Sequence, residues 1–232
     1  MSAAIVYLTA DGAHLATDGA AFGDTGAEAL LCQKVYIAAH LNAVVAARGP
    51  ILFAELLGVL LRQAQGDFDS LAADFGNLGR QAHLAMTAAV EAGTAVVGDL
   101  MTVDAVLVGF SEKHGFSCYV ASSTQSEVPD LKTDTAWQPC RLGATVLDGL
   151  SEDTAVVYVT PGDEIMAARL AKRGTDMWSP SGSIEQHALA LMEDQRAFTP
   201  IVGGFCQLTS VMRSGVFTTI LKRWPAALAD AA

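Results

Sequence analysis

Residues 2–18 read SAAIVYLTADGAHLATD, and residues 34–49 read KVYIAAHLNAVVAARG. In the first stretch, Ala3 to Leu8 is an apolar run that predicts a strand. A second strand is predicted from Ala13 to Ala21, across the turn Thr9-Ala10-Asp11-Gly12. Asp-Gly is a strong hairpin signal because glycine accepts positive φ. The other stretch predicts a second hairpin, Lys34 to Ala39 and Ala43 to Ala47, around His40-Leu41-Asn42. All four strands are rich in Val, Ile and Ala, with small residues where another layer can pack closely.

Beyond these strands the period changes. Leu52, Phe53, Leu56, Leu57, Leu60 and Leu61 recur at helical spacing after Pro50, a residue suited to a helix entrance. The helix packs on a core, and its apolar face could also serve a subunit interface. A second helix is predicted from Asp69 to Ala89, with Leu71, Phe75, Leu78, Ala82, Ala85 and Ala89 on one face. Ala105 to Phe110 and Phe116 to Ser122 form a hairpin turning at Lys113-His114-Gly115. Residues 123–135 are polar and read as loop, and Trp137 to Leu142 as a short strand. Thr160-Pro161 opens a helix to Lys172, with Asp163 and Glu164 where carboxylates suit the dipole. Ser183 with Gln186 makes a capping box for a further helix to Arg196. Val202 to Met212 and Val216 to Arg223 close the chain as a hairpin around Ser214-Gly215.

Four strands, two helices, more strands, two helices and two strands predict an α+β fold. Two antiparallel sheets stacked face to face, each covered by a helix pair, bury these faces in a four-layer αββα sandwich. The 232 residues suffice for one domain spanning 1–232, with 226–232 as a tail.

Hydrophobic residues make up 51% of the chain and charged residues 17%, the balance of a globular protein. A net charge of −11 without a Lys/Arg-rich run argues against nucleic acid as a partner. The apolar stretch from Pro50 to Leu61 is too short to span a bilayer, and no secretory signal is visible, so no membrane partner and a cytoplasmic location are expected. Cys32, Cys118, Cys140 and Cys206 form no CxxC pair, and the five histidines are dispersed, so no metal or cofactor is expected. GxSxG, P-loop and GxGxxG patterns are lacking, and Ser181-Gly182-Ser183 reads as part of a helix cap.

Ser2, Asp18 and Lys34 fall sixteen residues apart, each in a different predicted strand at the front of the chain. Removing Met1 would give Ser2 a free α-amine beside its hydroxyl. A serine hydroxyl needs a base, and an α-amine with a reference pKa near 7.7–8.0 can be one. A nearby ammonium, Lys34, favours the neutral amine, and Asp18 orients Lys34. A backbone N–H at Arg48-Gly49 could stabilise an oxyanion. An Asp and a Lys at strand ends also read, without chemistry, as an ordinary ion pair.

Asp11-Gly12 at the turn, Ala16-Thr17-Asp18, Lys34-Val35 opening a strand, and Ala46-Ala47-Arg48-Gly49 before a helix carry a resemblance. Residues 2 to 50 resemble the opening of a proteasome β-type subunit, of the T1-type, HslV-like N-terminal-nucleophile family. The order of later elements is similar to that family's sandwich. The resemblance implies an amidohydrolase or peptidase with Ser2, Asp18, Lys34 and Gly49 at its site, Ser2 standing in the threonine slot. It implies a peptide or amide substrate and a homo-oligomer or larger protein assembly. Arg48 stands where the family prefers a small residue, and three supporting polar groups are missing: Ala144 follows Gly143 where a serine is usual, and Thr199 and Val202 occupy the slots of an Asp and a Ser. Ala144, Thr199 and Val202 support a second reading, an inactive structural or assembly subunit on the same fold, for example a virion component of a phage tail.

Overall fold

Strand alternation splits the first apolar run between two cores. In β1 (Ala4–Thr9), Ala4, Val6 and Leu8 face the space between two sheets. Ile5 and Tyr7, with Ala3 just ahead of the strand, face a helix. A computed structural model of the chain describes residues 3–22, 28–95, 103–123, 136–142, 154–159, 182–198 and 202–225.

The first sheet has the order β10 (Thr154–Val159), β1, β2 (Gly12–Asp18), β11 (Phe205–Met212) and β12 (Gly215–Arg223). The second runs β5 (Val35–Ala38), β6 (Ala43–Arg48), β7 (Asp104–Ser111), β8 (Gly115–Ser122) and β9 (Cys140–Leu142). All pairings in both sheets are antiparallel. Between the sheets, Val6, Leu15 and Val211 meet Val44, Val106 and Val120. The opposite face of the second sheet, through Val45 and Leu107, packs under α1 (Ile51–Gln63) and α2 (Phe68–Glu91). Ala188, Leu191 and Met192 of α3 (Ile184–Phe198) cover Ile5, Tyr7 and Ala16 of the first sheet. The fold is the α+β four-layer sandwich expected from the sequence. Strands buried on both faces read as continuous apolar runs, which is why the sequence shows them so clearly.

Several local expectations hold. Pro50 stands at the entrance of α1, whose Phe53, Leu57 and Leu61 are buried in the core. The Ser183–Gln186 capping box forms, each side chain accepting from the other residue's backbone N–H at 3.3 Å.

Other details differ. Gly12 is not among the residues with positive φ. A Cβ there would lie 2.5 Å from Met212 Sδ, so a larger residue would require the flexible Met212 side chain to move. The strand expected to run to Ala21 stops at Asp18. Asp18 Oδ2 accepts from Ala20 N–H at 3.3 Å, and the chain turns away as β3 (Ala20–Phe22), which pairs with β4 (Glu28–Leu31). Neither β4 nor β10 was expected. On α2 the expected face ran on through Ala85 to Ala89, but the buried stripe ends at Met86, with Ala85 exposed and Ala89 half-buried. Trp137 is no strand residue. It takes a positive φ of 65° and sets its ring near Phe53, so β9 begins only at Cys140. The helix expected over 160–172 and most of the loop over 123–135 lie outside the described residues, as does the tail at 226–232.

Phe75 is fully buried in α2, whereas Leu84 of the same helix is 62% exposed. Phe75→Ala is expected to cost about 3–5 kcal/mol in chemical denaturation. Leu84→Ala should stay within about 0.5 kcal/mol.

Candidate active site

Asp18 ends β2 and is fully buried. Its carboxylate gathers donors from four segments. Oδ1 accepts from Lys34 Nζ at 2.7 Å and from Ala3 N–H at 3.0 Å. Oδ2 accepts from Ala20 N–H at 3.3 Å and Gly203 N–H at 3.4 Å. Gly19 N–H returns a bond to Gly203 O at 3.1 Å, so the segment entering β11 is held twice. Lys34 is itself only 7% exposed. A buried pair of this kind persists only when its remaining lone pairs and protons are satisfied. Here the backbone supplies three of the four donors to the carboxylate.

The structure thus brings Asp18 and Lys34 together as a buried ion pair, more than the surface pair considered from sequence. Ala3, whose N–H is tied to Asp18, is the residue immediately after Ser2. Ser2 lies outside the described residues. Gly49 follows β6 at the entrance to α1 with φ of 126°, a conformation that suits glycine.

A narrow cleft opens beside the pair, walled by Ala3, Thr17, Lys34, Ala47, Arg48 and Asp104. Arg48 forms an ion pair with Asp104, its register partner on β7. Sequence reasoning treated Arg48 as a departure and missed this partner. The available signal was a lone Asp just before the apolar run of 105–110. Thr17 was also missed. It is 1% exposed, and among the described residues its Oγ1 has no hydrogen-bond partner.

Of the other departures, Val202 is buried and apolar, while Ala144 and Thr199 lie outside the described residues. Burial pushes the Cys32 thiol up, partly offset by Lys34, and pushes the Cys206 thiol up to about 12. Among the described residues, no group of three or more His, Cys, Asp or Glu side chains is placed to hold a metal ion. No helix among them is long and apolar enough to cross a membrane.

No family model matches this chain, and no curated protein matches it in sequence. Solved structures do. Anbu (ancestral beta-subunit) from Yersinia bercovieri is similar with a TM-score of 0.59 and 12% identity, over 94% of this chain and 86% of that one. A Gly-1 mutant of Anbu from Hyphomicrobium sp. strain MC1 gives a TM-score of 0.63 and 10% identity, over 96% and 87%. The chain shares their fold, a four-layer αββα sandwich. The resemblance of residues 2 to 50 to T1-type, HslV-like subunits is corrected accordingly. No sequence match supports membership of that family, and the likeness to Anbu, at this identity, is one of fold.

A test of the ion pair is a double-mutant cycle on unfolding free energy. Lys34→Met or Asp18→Asn alone is expected to destabilise by about 3–5 kcal/mol, because one partner is left buried without the other. The double variant should recover part of that loss. Additive losses would mean that the two side chains do not couple.

Proposed function

We propose that this chain is an amidohydrolase or peptidase whose nucleophile is Ser2, exposed by removal of Met1. The observation that carries this reading is the buried Asp18–Lys34 pair, with the same Asp18 oxygen bonded to Ala3 N–H. The residue after the proposed nucleophile is thereby anchored to the group that orients the ammonium.

The chemistry follows from these parts. Ser2 Oγ forms a bond to the amide carbonyl carbon while its proton passes to the α-amine of Ser2. Lys34 favours the proton-free amine by like-charge repulsion. Gly49 N–H donates to the oxyanion. The carbon–nitrogen bond then breaks, the leaving amine takes the proton, and an ester to Ser2 remains. Water, deprotonated by the same amine, hydrolyses that ester.

Intact mass is expected to show loss of Met1, and a peptide β-lactone should add one equivalent to Ser2. Ser2→Ala should abolish the adduct. Lys34→Ala should slow its formation by about 10²–10⁴-fold. A chain that keeps Met1, or labelling that survives Ser2→Ala, would falsify the assignment.

A second reading, a structural or assembly subunit, draws on a different part of the molecule. Among the described residues β12 is the edge of its sheet, with Phe217 55% and Ile220 37% exposed. An open edge carrying large apolar side chains suits association with a second copy. Sedimentation is expected to give a mass several times 24.2 kDa. Phe217→Asp with Ile220→Asp should shift it toward the monomer. A wild-type monomer at micromolar concentration would remove this reading without touching the first.

A further inference from the structure

We propose that the cleft beside the Asp18–Lys34 pair binds one water molecule, which bridges Thr17 Oγ1 on the first sheet to Asp104 Oδ2 on the second. Strand alternation puts both side chains in the space between the sheets. Leu15, two residues before Thr17, and Val106, two residues after Asp104, belong to the inter-sheet core. Thr17 and Asp104 form the next layer outward, and both wall the same cleft. Both are more than nine-tenths buried, at 1% and 7% exposed. Buried polar atoms are normally hydrogen-bonded. Among the described residues, neither Thr17 Oγ1 nor Asp104 Oδ2 has a hydrogen-bond partner. Arg48 neutralises Asp104 as an ion pair without making a hydrogen bond to that oxygen. The Gln207 amide, across the ladder from Thr17, donates instead to Thr209 Oγ1 at 3.1 Å.

The cleft sets the size and charge of the group these two oxygens share. Ala3, Ala4, Ala46 and Ala47 are too short to fill the gap. About 10 Å³ remains there for the centre of a water molecule. A void of roughly that size holds one water. Water has the two hydrogens that two acceptors require, and a lone pair for a donor. Lys34 Nζ, in the same wall, has three N–H bonds and among the described residues directs one of them at Asp18 Oδ1. A small cation would suit the two oxygens but would be repelled by Lys34 and Arg48. Two acceptors beside two cations select a neutral donor. The bridge joins β2 to the Arg48–Asp104 pair on β6 and β7, and so ties the sheets together where their ladders stop. It is built without Ser2 and does not depend on the catalytic reading.

Two measurements test the bridge, and neither requires activity. A high-resolution crystal structure of the wild-type protein is expected to show one water within hydrogen-bond distance of both Thr17 Oγ1 and Asp104 Oδ2. Denaturant unfolding of Thr17→Val, which keeps the shape and loses the hydroxyl, gives the second reading. A hydroxyl without any partner would make this apolar variant as stable as wild type or more so. With the water bound, Thr17→Val should raise the unfolding equilibrium constant about fivefold, and Thr17→Ser should stay near the wild-type value. In a background where Arg48→Met and Asp104→Leu remove the pair together, Thr17→Val should lose most of that effect, because the two sites couple through the water. A direct Thr17–Asp104 hydrogen bond, a water on one oxygen alone, or no ordered water in the cleft overturns the proposal. So does a Thr17→Val protein as stable as wild type, or an equal effect in both backgrounds. Should the variants fail to fold, the wild-type crystal structure decides alone.

Discussion

One carboxylate, that of Asp18, joins parts of the chain that are far apart in sequence. It binds the start of β1 through Ala3, the lead into β5 through Lys34, the entry to β3 through Ala20 and the entry to β11 through Gly203. A fully buried carboxylate left without donors is costly enough that it would take up a proton or water. Four donors remove that cost only when all four segments are in place. The group therefore couples the edge of one sheet to the lead strand of the other.

The position of this pair follows from the sandwich. Along the length of β1 and β2 both faces are covered, and Ile5, Val6, Leu15 and Ala16 are all fully buried. A charge there would have no room for donors from other segments. At the sandwich end, strands enter and leave, and their first and last N–H groups are free of the ladder. Asp18 uses these N–H groups. The same geometry places Arg48 and Asp104 at the ends of their strands. The charged side chains of the cleft collect where the ladders stop.

The sequence exposed this arrangement unevenly. The sandwich was legible because strands covered on both sides must be apolar throughout, and α1 and α2 repeat leucine and phenylalanine at helical spacing. Asp18 and Lys34 were legible as a pair through their placement at strand ends. What could not be read depended on distant partners. Asp18 ends its own strand by capturing Ala20 N–H, an effect of one side chain on local backbone that periodicity does not report. Thr17 looked like one more small strand residue, and its burial in the cleft follows only from the layers packed around β2. Arg48 appeared out of place until Asp104 stood opposite it. Gly12 stands at the expected turn without the positive φ expected of it, and its near neighbour is Met212, some two hundred positions away.

A buried ion pair is a poor device for stability alone, because apolar residues of similar volume often serve as well or better. An ordinary scaffold of this kind would have little physical reason to keep a lysine 7% exposed beside a fully buried aspartate. The pair makes sense if the ammonium must stand at a fixed place next to a group that arrives later. The cleft beside the pair is lined by Ala3, Thr17, Lys34, Ala47, Arg48 and Asp104. The fold fixes the ammonium there in advance, because its partner carboxylate is itself held by three backbone N–H groups.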